Sequence, residues 1–133
     1  MRICLDTNVL VAAFATRGLC ADVFRTVLAD HDLVIGEVIL NELRRVLTIK
    51  FHVPADRLGA IEAVFAPFPS IPRPDHPGPE SIRDASDRWV FVTAIAGNAE
   101  VLVTGDRDLL AVSRESPIQI LDPRVFWELL HSA

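Results

Sequence analysis

Lysine is nearly absent from this 133-residue chain: Lys50 is the only one among 13 basic residues, and the rest are arginine. Positive charge as a whole is outnumbered, 13 against 18 acidic residues, for a formal net charge of −5. That balance argues against a general nucleic-acid coat protein. It leaves room for an enzyme that cuts nucleic acid, because an acidic metal site itself adds negative charge. Arginine suits planar, two-pronged phosphate contacts, although genomic composition explains the bias equally well. Cysteine is scarce too. Cys4 and Cys20 show no metal-site spacing, and a reducing compartment is the simpler reading. Cys4 reads as a small buried hydrophobe. Histidine forms no motif: His31, His52, His76 and His131 are scattered and read as surface residues.

Long hydrophobic runs are missing as well. The apolar start after Arg2 is interrupted by Asp6 and Asn8, where a secretory core is continuous. The apolar stretch from Trp89 to Ala96 is short and ends at Gly97, Asn98 and Glu100, so nothing spans a membrane. A cytoplasmic protein is expected. Half of the residues are hydrophobic, 50%, enough for one compact domain over residues 1–133 with a sizeable core. No internal repeat is present.

Short apolar runs alternate with helical patterns. Ile3 to Leu5, Leu33 to Ile35, Val101 to Val103 and Ile118 to Leu121 read as buried strands, and Phe68 to Ile71 as an edge strand that tolerates proline. Helices are expected from Thr7 to Phe14, Cys20 to Ala29, Glu37 to Lys50, Asp56 to Phe65 and Ser86 to Gly97. A last one opens at Asp122-Pro123, with Asp122 as cap and Pro123 at the first helical position. Pro67, Pro69, Pro72, Pro74, Pro77 and Pro79 mark one irregular connection, and Thr104 to Asp108 reads as a turn. The alternation predicts an α/β fold: a central parallel sheet of about five strands, flanked by helices in a three-layer, Rossmann-like arrangement.

Four carboxylates stand out against this frame. Asp6 follows the first strand directly, where the carboxyl ends of parallel strands form a ligand crevice. Asp106 follows the strand Val101 to Val103 after a Thr-Gly turn and emerges at the same edge. Glu42 falls within the apolar stripe Val38, Ile39, Leu43, Val46 and Leu47, where an unpaired charge is costly. Asp87 likewise extends the stripe Val90, Phe91 and Ala94. Each has an ordinary reading beside the functional one. Asp6, Asp87 and Asp106 suit helix caps or first turns, Asp84 suits a cap or loop, and Glu42 suits the rim of a stripe with its carboxylate in water. Brought together, the four repel one another unless a cation is bound, and oxygen-only ligands select a hard ion such as Mg²⁺ or Mn²⁺. Such an ion assists phosphodiester hydrolysis. Arg44, Arg45, Lys50, Arg107 and Arg114 are candidate phosphate contacts, or simply solvated helix faces.

The stretches Asp6-Thr7-Asn8-Val9-Leu10, Glu42-Leu43, Arg83-Asp84-Ala85-Ser86-Asp87 and Val103-Thr104-Gly105-Asp106-Arg107-Asp108-Leu109-Leu110 resemble the PIN domain family, with the nearest likeness to VapC-like toxins of toxin–antitoxin pairs. The resemblance runs through essentially the whole chain, in order. It implies a metal-dependent endoribonuclease specific for single-stranded RNA, with Asp6, Glu42, Asp87 and Asp106 as a catalytic quartet holding Mg²⁺ or Mn²⁺. Asn8 and Thr104 would be supporting polar residues and Asp108 a further supporting acid. Ala85 and Arg88 depart from the family pattern, where a proline and a second acid are common; that bears on how many ions bind. The family implies an antitoxin peptide as partner and a homodimer.

Two other classes compete. Haloacid-dehalogenase-like phosphatases also use a strand-end aspartate and carry a later Gly-Asp, here Gly105-Asp106. Asn8 and the isolated Lys50 match their second aspartate and their lysine poorly, and the chain is short for that fold. A non-catalytic interaction domain, its acids reduced to caps, is the third.

Overall fold

The computed structural model describes residues 1–132. Five strands form one parallel sheet: β1 (Arg2–Leu5), β2 (Asp32–Gly36), β3 (Ser70–Ile71), β4 (Val101–Val103) and β5 (Gln119–Leu121), in the order β3-β2-β1-β4-β5. The helices are α1 (Thr7–Ala15), α2 (Leu19–Asp30), α3 (Glu37–Ile49), α4 (Ala55–Phe65), α5 (Ala85–Ala96), α6 (Arg107–Ala111) and α7 (Pro123–His131). Chain order moves outward from β1 through β2 to β3, then returns to β4 and β5 on the other side. Parallel crossovers are almost always right-handed, so connections running in both directions from β1 place helices on both faces of the sheet. The reversal lies between β1 and β4, which pair Ile3 with Val101 and Leu5 with Val103.

The central strands are apolar throughout because both their faces are covered. Ile3, Cys4 and Leu5 and Val101, Leu102 and Val103 are all fully buried, the pattern of parallel strands between helical layers. Burial among apolar neighbours raises the Cys4 thiol well above its ordinary range, with Asp6 adding to the effect, so Cys4 behaves as the small hydrophobe the sequence suggests. Phe14, Phe24 and Phe65 join α1, α2 and α4 through edge-on and tilted ring contacts at 5.2–6.0 Å. Leu10, Ile39, Leu47, Leu109 and Phe126 complete the core. No single helix among the described residues is long and apolar enough to cross a membrane; α1 and α2 are consecutive but bent by 105°, and both bury residues in this core.

Two local features differ from the expectation. The stretch after Asp106 is a helix, α6, rather than only a turn, because the Asp106 carboxylate accepts from the Asp108 and Leu109 amides at 2.8 and 3.1 Å and nucleates it. A 3-10 turn over Ser113–Glu115 then leads to β5. The proline-rich connection contributes only the two residues of β3 to the sheet. At the other end Asp122 caps α7 at 2.8 Å from the Val125 amide, with Pro123 opening the helix.

Gly36 joins β2 to α3, and it does so in a space that excludes a side chain. A Cβ there would lie 2.6 Å from the Thr93 methyl of α5 and 3.0 Å from the Ile71 carbonyl of β3. Thr93 is buried and its hydroxyl donates to the Trp89 carbonyl at 2.7 Å, so it has little freedom to yield. Gly36→Ala should therefore destabilise the fold by about 1–3 kcal/mol through overpacking, read as a lowered urea midpoint with an unchanged slope. A neutral substitution would mean that β2, β3 and α5 are not in close contact.

Candidate active site

Asp6 leaves β1 with its amide bonded to the Val103 carbonyl of β4 at 2.9 Å. It stands at the cap position of α1, yet its side chain makes no capping bond. Its main-chain carbonyl starts the helix instead, accepting from the Val9 and Leu10 amides at 3.0 and 3.1 Å. The carboxylate turns into the sheet edge and is 2% exposed. There the Thr104 hydroxyl donates to it at 2.6 Å and accepts from the Asp106 amide at 3.0 Å. Thr104 is fully buried and thus fixes the two strand-end acids against each other.

Asp87 sits in the first turn of α5, half-buried and facing the same edge. Burial pushes its carboxyl up to about 7, helped by the charges of Asp106, Asp6 and Asp84 and by a hydrogen bond with the Asp106 carboxyl. Burial likewise raises Asp6 above the ordinary carboxylate range, against the lowering effect of the Thr104 hydroxyl; Asp106 and Asp84 add to the rise. Asp84 caps α5 by accepting from the Ser86 amide at 2.7 Å, and its charge reaches both deeper acids. The spacing of three residues to Asp87 is the sequence signal for this double role, since i and i+3 share a helix face.

Asp6, Asp84, Asp87 and Asp106 line a hollow of about 320 Å³, together with Thr7, Asn8, Glu42, Arg45, Lys50 and Trp89. Glu42 is thus brought to the same hollow, but its carboxylate is engaged: Arg45 donates to both oxygens at 2.6 and 3.1 Å. The ordinary reading of Glu42 as a rim residue describes its position, with a cation rather than water as the main partner. Asn8 is exposed at the mouth. Asp108 points elsewhere, bonded to Arg83 at 3.0 Å, and lines an adjoining hollow with Arg83, Gly105 and Arg107.

The cations are also sorted by the fold. Arg45 and Lys50 line the acidic hollow, reached through α3 rather than through sequence proximity. Arg44 faces α4 and pairs with Glu62 at 3.5 Å. Arg107 belongs to the adjoining hollow, and Arg114 lies on the 3-10 turn. Arg88, next to Asp87, turns away to the carbonyls of Ile82, Glu80 and Arg83.

These donors suit a hard divalent cation. Asp6, Asp87 and Asp106 form no ion pair with a protein cation among the described residues, and the Asp106 charge raises the proton affinity of both Asp6 and Asp87. The Thr7 hydroxyl is buried beside them with no partner among the described residues, an orphan that ordered water or a hydrated ion would satisfy. No three His, Cys, Asp or Glu groups among the described residues form a ready-made cage. The fit is therefore one of charge and donor type.

A carboxyl held at about 7 in the fold and at its ordinary value of 3.8 when unfolded binds more protons in the native state between those values. Its favourable contribution is complete below the ordinary value and is lost as the pH rises through about 7. In chelator, Asp87→Asn should exceed the wild type in urea stability by a margin that grows from about pH 4 to about pH 7, so that it is clearly larger near about pH 8 than near about pH 5. An equal difference at both pH values would show that Asp87 is not crowded by its neighbours.

A family model described as PIN domain matches residues 2–108. No curated protein matches the chain. Among solved structures it is similar to VapBC2 from Rickettsia felis bound to a DNA fragment from their promoter, with a TM-score of 0.60 and 18% identity over 92% of this chain and 98% of that one. It is also similar to FitAcB from Neisseria gonorrhoeae, with a TM-score of 0.63 and 16% identity over 92% and 98% of the two chains. At these identities the likeness is one of fold.

Proposed function

The chain belongs to the PIN domain family, and from that premise we propose that it is a Mg²⁺- or Mn²⁺-dependent endoribonuclease hydrolysing single-stranded RNA, the toxin of a toxin–antitoxin pair. PIN domains are typically nucleases and generally depend on divalent metal. The observation that carries the reading is the set of unpaired acids at the junction of β1 and β4: Asp6 buried, Asp87 raised to about 7, and Asp106 hydrogen-bonded to Asp87 and linked to Asp6 through Thr104. A non-catalytic domain has no use for such mutual repulsion, which only destabilises it. The phosphatase alternative falls away with the family membership.

In this reading Asp6, Asp87 and Asp106 would hold the ion, and Glu42, which lines the same hollow and pairs with Arg45, would contribute to it. A divalent ion supplies Lewis acidity toward the phosphodiester and makes water easier to deprotonate. Asp87, the more accessible of the deep acids, accepts the proton of the attacking water. Thr104 keeps Asp6 in one orientation and Asp106 in register with it. Arg45 and Lys50 receive the phosphate, and Asn8 at the mouth orients the strand. The Vap name of one structural neighbour and the motif-level likeness to VapC-like toxins support a cognate antitoxin; a homodimer and a cytoplasmic location are part of the same proposal.

Purified protein should cleave a single-stranded RNA oligonucleotide with Mg²⁺ or Mn²⁺, and lose that activity in EDTA and in Asp6→Asn. Thr104→Val, which keeps the volume and removes the hydroxyl, should cost about 10–100-fold in activity, the usual effect of losing a group that orients a metal ligand. Equal cleavage by wild type, chelated protein and Asp6→Asn would overturn the assignment.

A further inference from the structure

A second hollow, of about 350 Å³, adjoins the acidic one and shares Val38, Glu42, Arg45 and Trp89 with it. Its remaining lining is Glu37, Asn41 and Arg73. Glu37, Asn41 and Arg45 are spaced by four residues on α3, so they stand on one helix face. Trp89 lies two residues beyond Asp87 on α5. Arg73 comes from the proline-rich connection between β3 and α5, flanked by Pro72 and Pro74. Its guanidinium carbon sits 4.2 Å from the centre of the Trp89 ring, and its amide donates to the Glu37 carboxylate at 2.8 Å. The connection is thus tied to the start of α3, and a cation is held over an aromatic ring beside the acidic centre.

We propose that the Arg73–Trp89 pair is a binding subsite for one unpaired nucleobase of the RNA strand whose backbone crosses the acidic hollow. The inference rests on the ribonuclease reading for the choice of ligand. Arg73 is exposed, so the outer side of its guanidinium is open. A planar base adds to that side and extends the stack, as bases do on arginine and aromatic planes in single-strand recognition. Trp89 holds the guanidinium in place beforehand, and the Glu37 bond anchors its main chain, so little freedom remains to be lost on binding. The Asn41 amide, exposed on the same wall, presents a donor and an acceptor to a base edge. Only a single strand supplies a free base there, because a paired base has both faces stacked and its edge engaged. A role as mere surface cation is distinguishable: an ammonium would then serve as well as a guanidinium, and the base would not matter.

Binding is followed by the fluorescence anisotropy of a dye-labelled short single-stranded RNA added to an Asp6→Asn protein with Mg²⁺, so the reading of the subsite needs no cleavage. Arg73→Ala and Arg73→Lys should each weaken binding by about tenfold, the scale of one stacked base, while Trp89→Phe should retain most of the affinity. An oligonucleotide made abasic along the segment facing the subsite should lose the same factor, and Arg73→Ala should then cost nothing further. In otherwise wild-type protein Arg73→Ala should raise KM by a similar factor and leave kcat unchanged. If Arg73→Lys binds as tightly as arginine, or the abasic strand binds as well as the complete one, or no binding is seen, the subsite is refuted. Tight, base-dependent binding without cleavage by the wild type would instead retain the subsite and remove the ribonuclease.

Discussion

The arrangement depends on one hydroxyl. Thr104 donates to the Asp6 carboxylate and accepts from the Asp106 amide, holding two acids together where Coulomb repulsion would part them. It can do so because β1 and β4 are adjacent parallel strands whose carboxyl ends open at the point where the sheet order reverses. The apolar strands on either side, sealed by helices, provide the stability against which the acidic edge is strained. Relieving the repulsion at Asp87, which caps nothing, would make a more stable protein, the usual relation between a fold and a functional site.

Much of this was legible in the sequence because it follows from local rules. Uninterrupted apolar runs identified the buried strands, and parallel pairing required Asp6 and Asp106 to emerge at one edge. Asp122 and Pro123 announced α7. Less accessible was anything set by contacts between elements. The cap reading held for Asp106 and failed for the Asp6 side chain, since the choice between capping and facing inward depends on Thr104, distant in sequence. Glu42 and Arg45 are three apart on a helix, a spacing at which ion pairs form, yet each reads as free until α3 is docked. Lys50 and Trp89 reach the acidic hollow through tertiary packing alone. Asp108 and Arg107 follow Asp106 in sequence but belong to its other side, because the turn of α6 carries them away.

The charges then divide into a centre and its surroundings. Asp6, Asp87 and Asp106 face one another without a protein cation, while Arg45 and Lys50 stand on the same hollow, Arg73 on one side of it and Arg83 and Arg107 on the other. On the proposed reading, a strand of phosphates would meet arginine at either end and acid in the middle. A net charge of −5 is reconciled on that reading with an anionic substrate: the cations border the acidic centre, and a metal would offset the charge of that centre.

The central claim is that these acids together lack one cation. Calorimetric titration with Mn²⁺ near about pH 6.5, in two buffers of different ionisation enthalpy, tests it directly, because a carboxyl protonated in the free protein must release its proton to a metal. The account predicts saturable binding with net proton release that disappears in Asp87→Asn. Absence of binding, or binding without proton release, would contradict it.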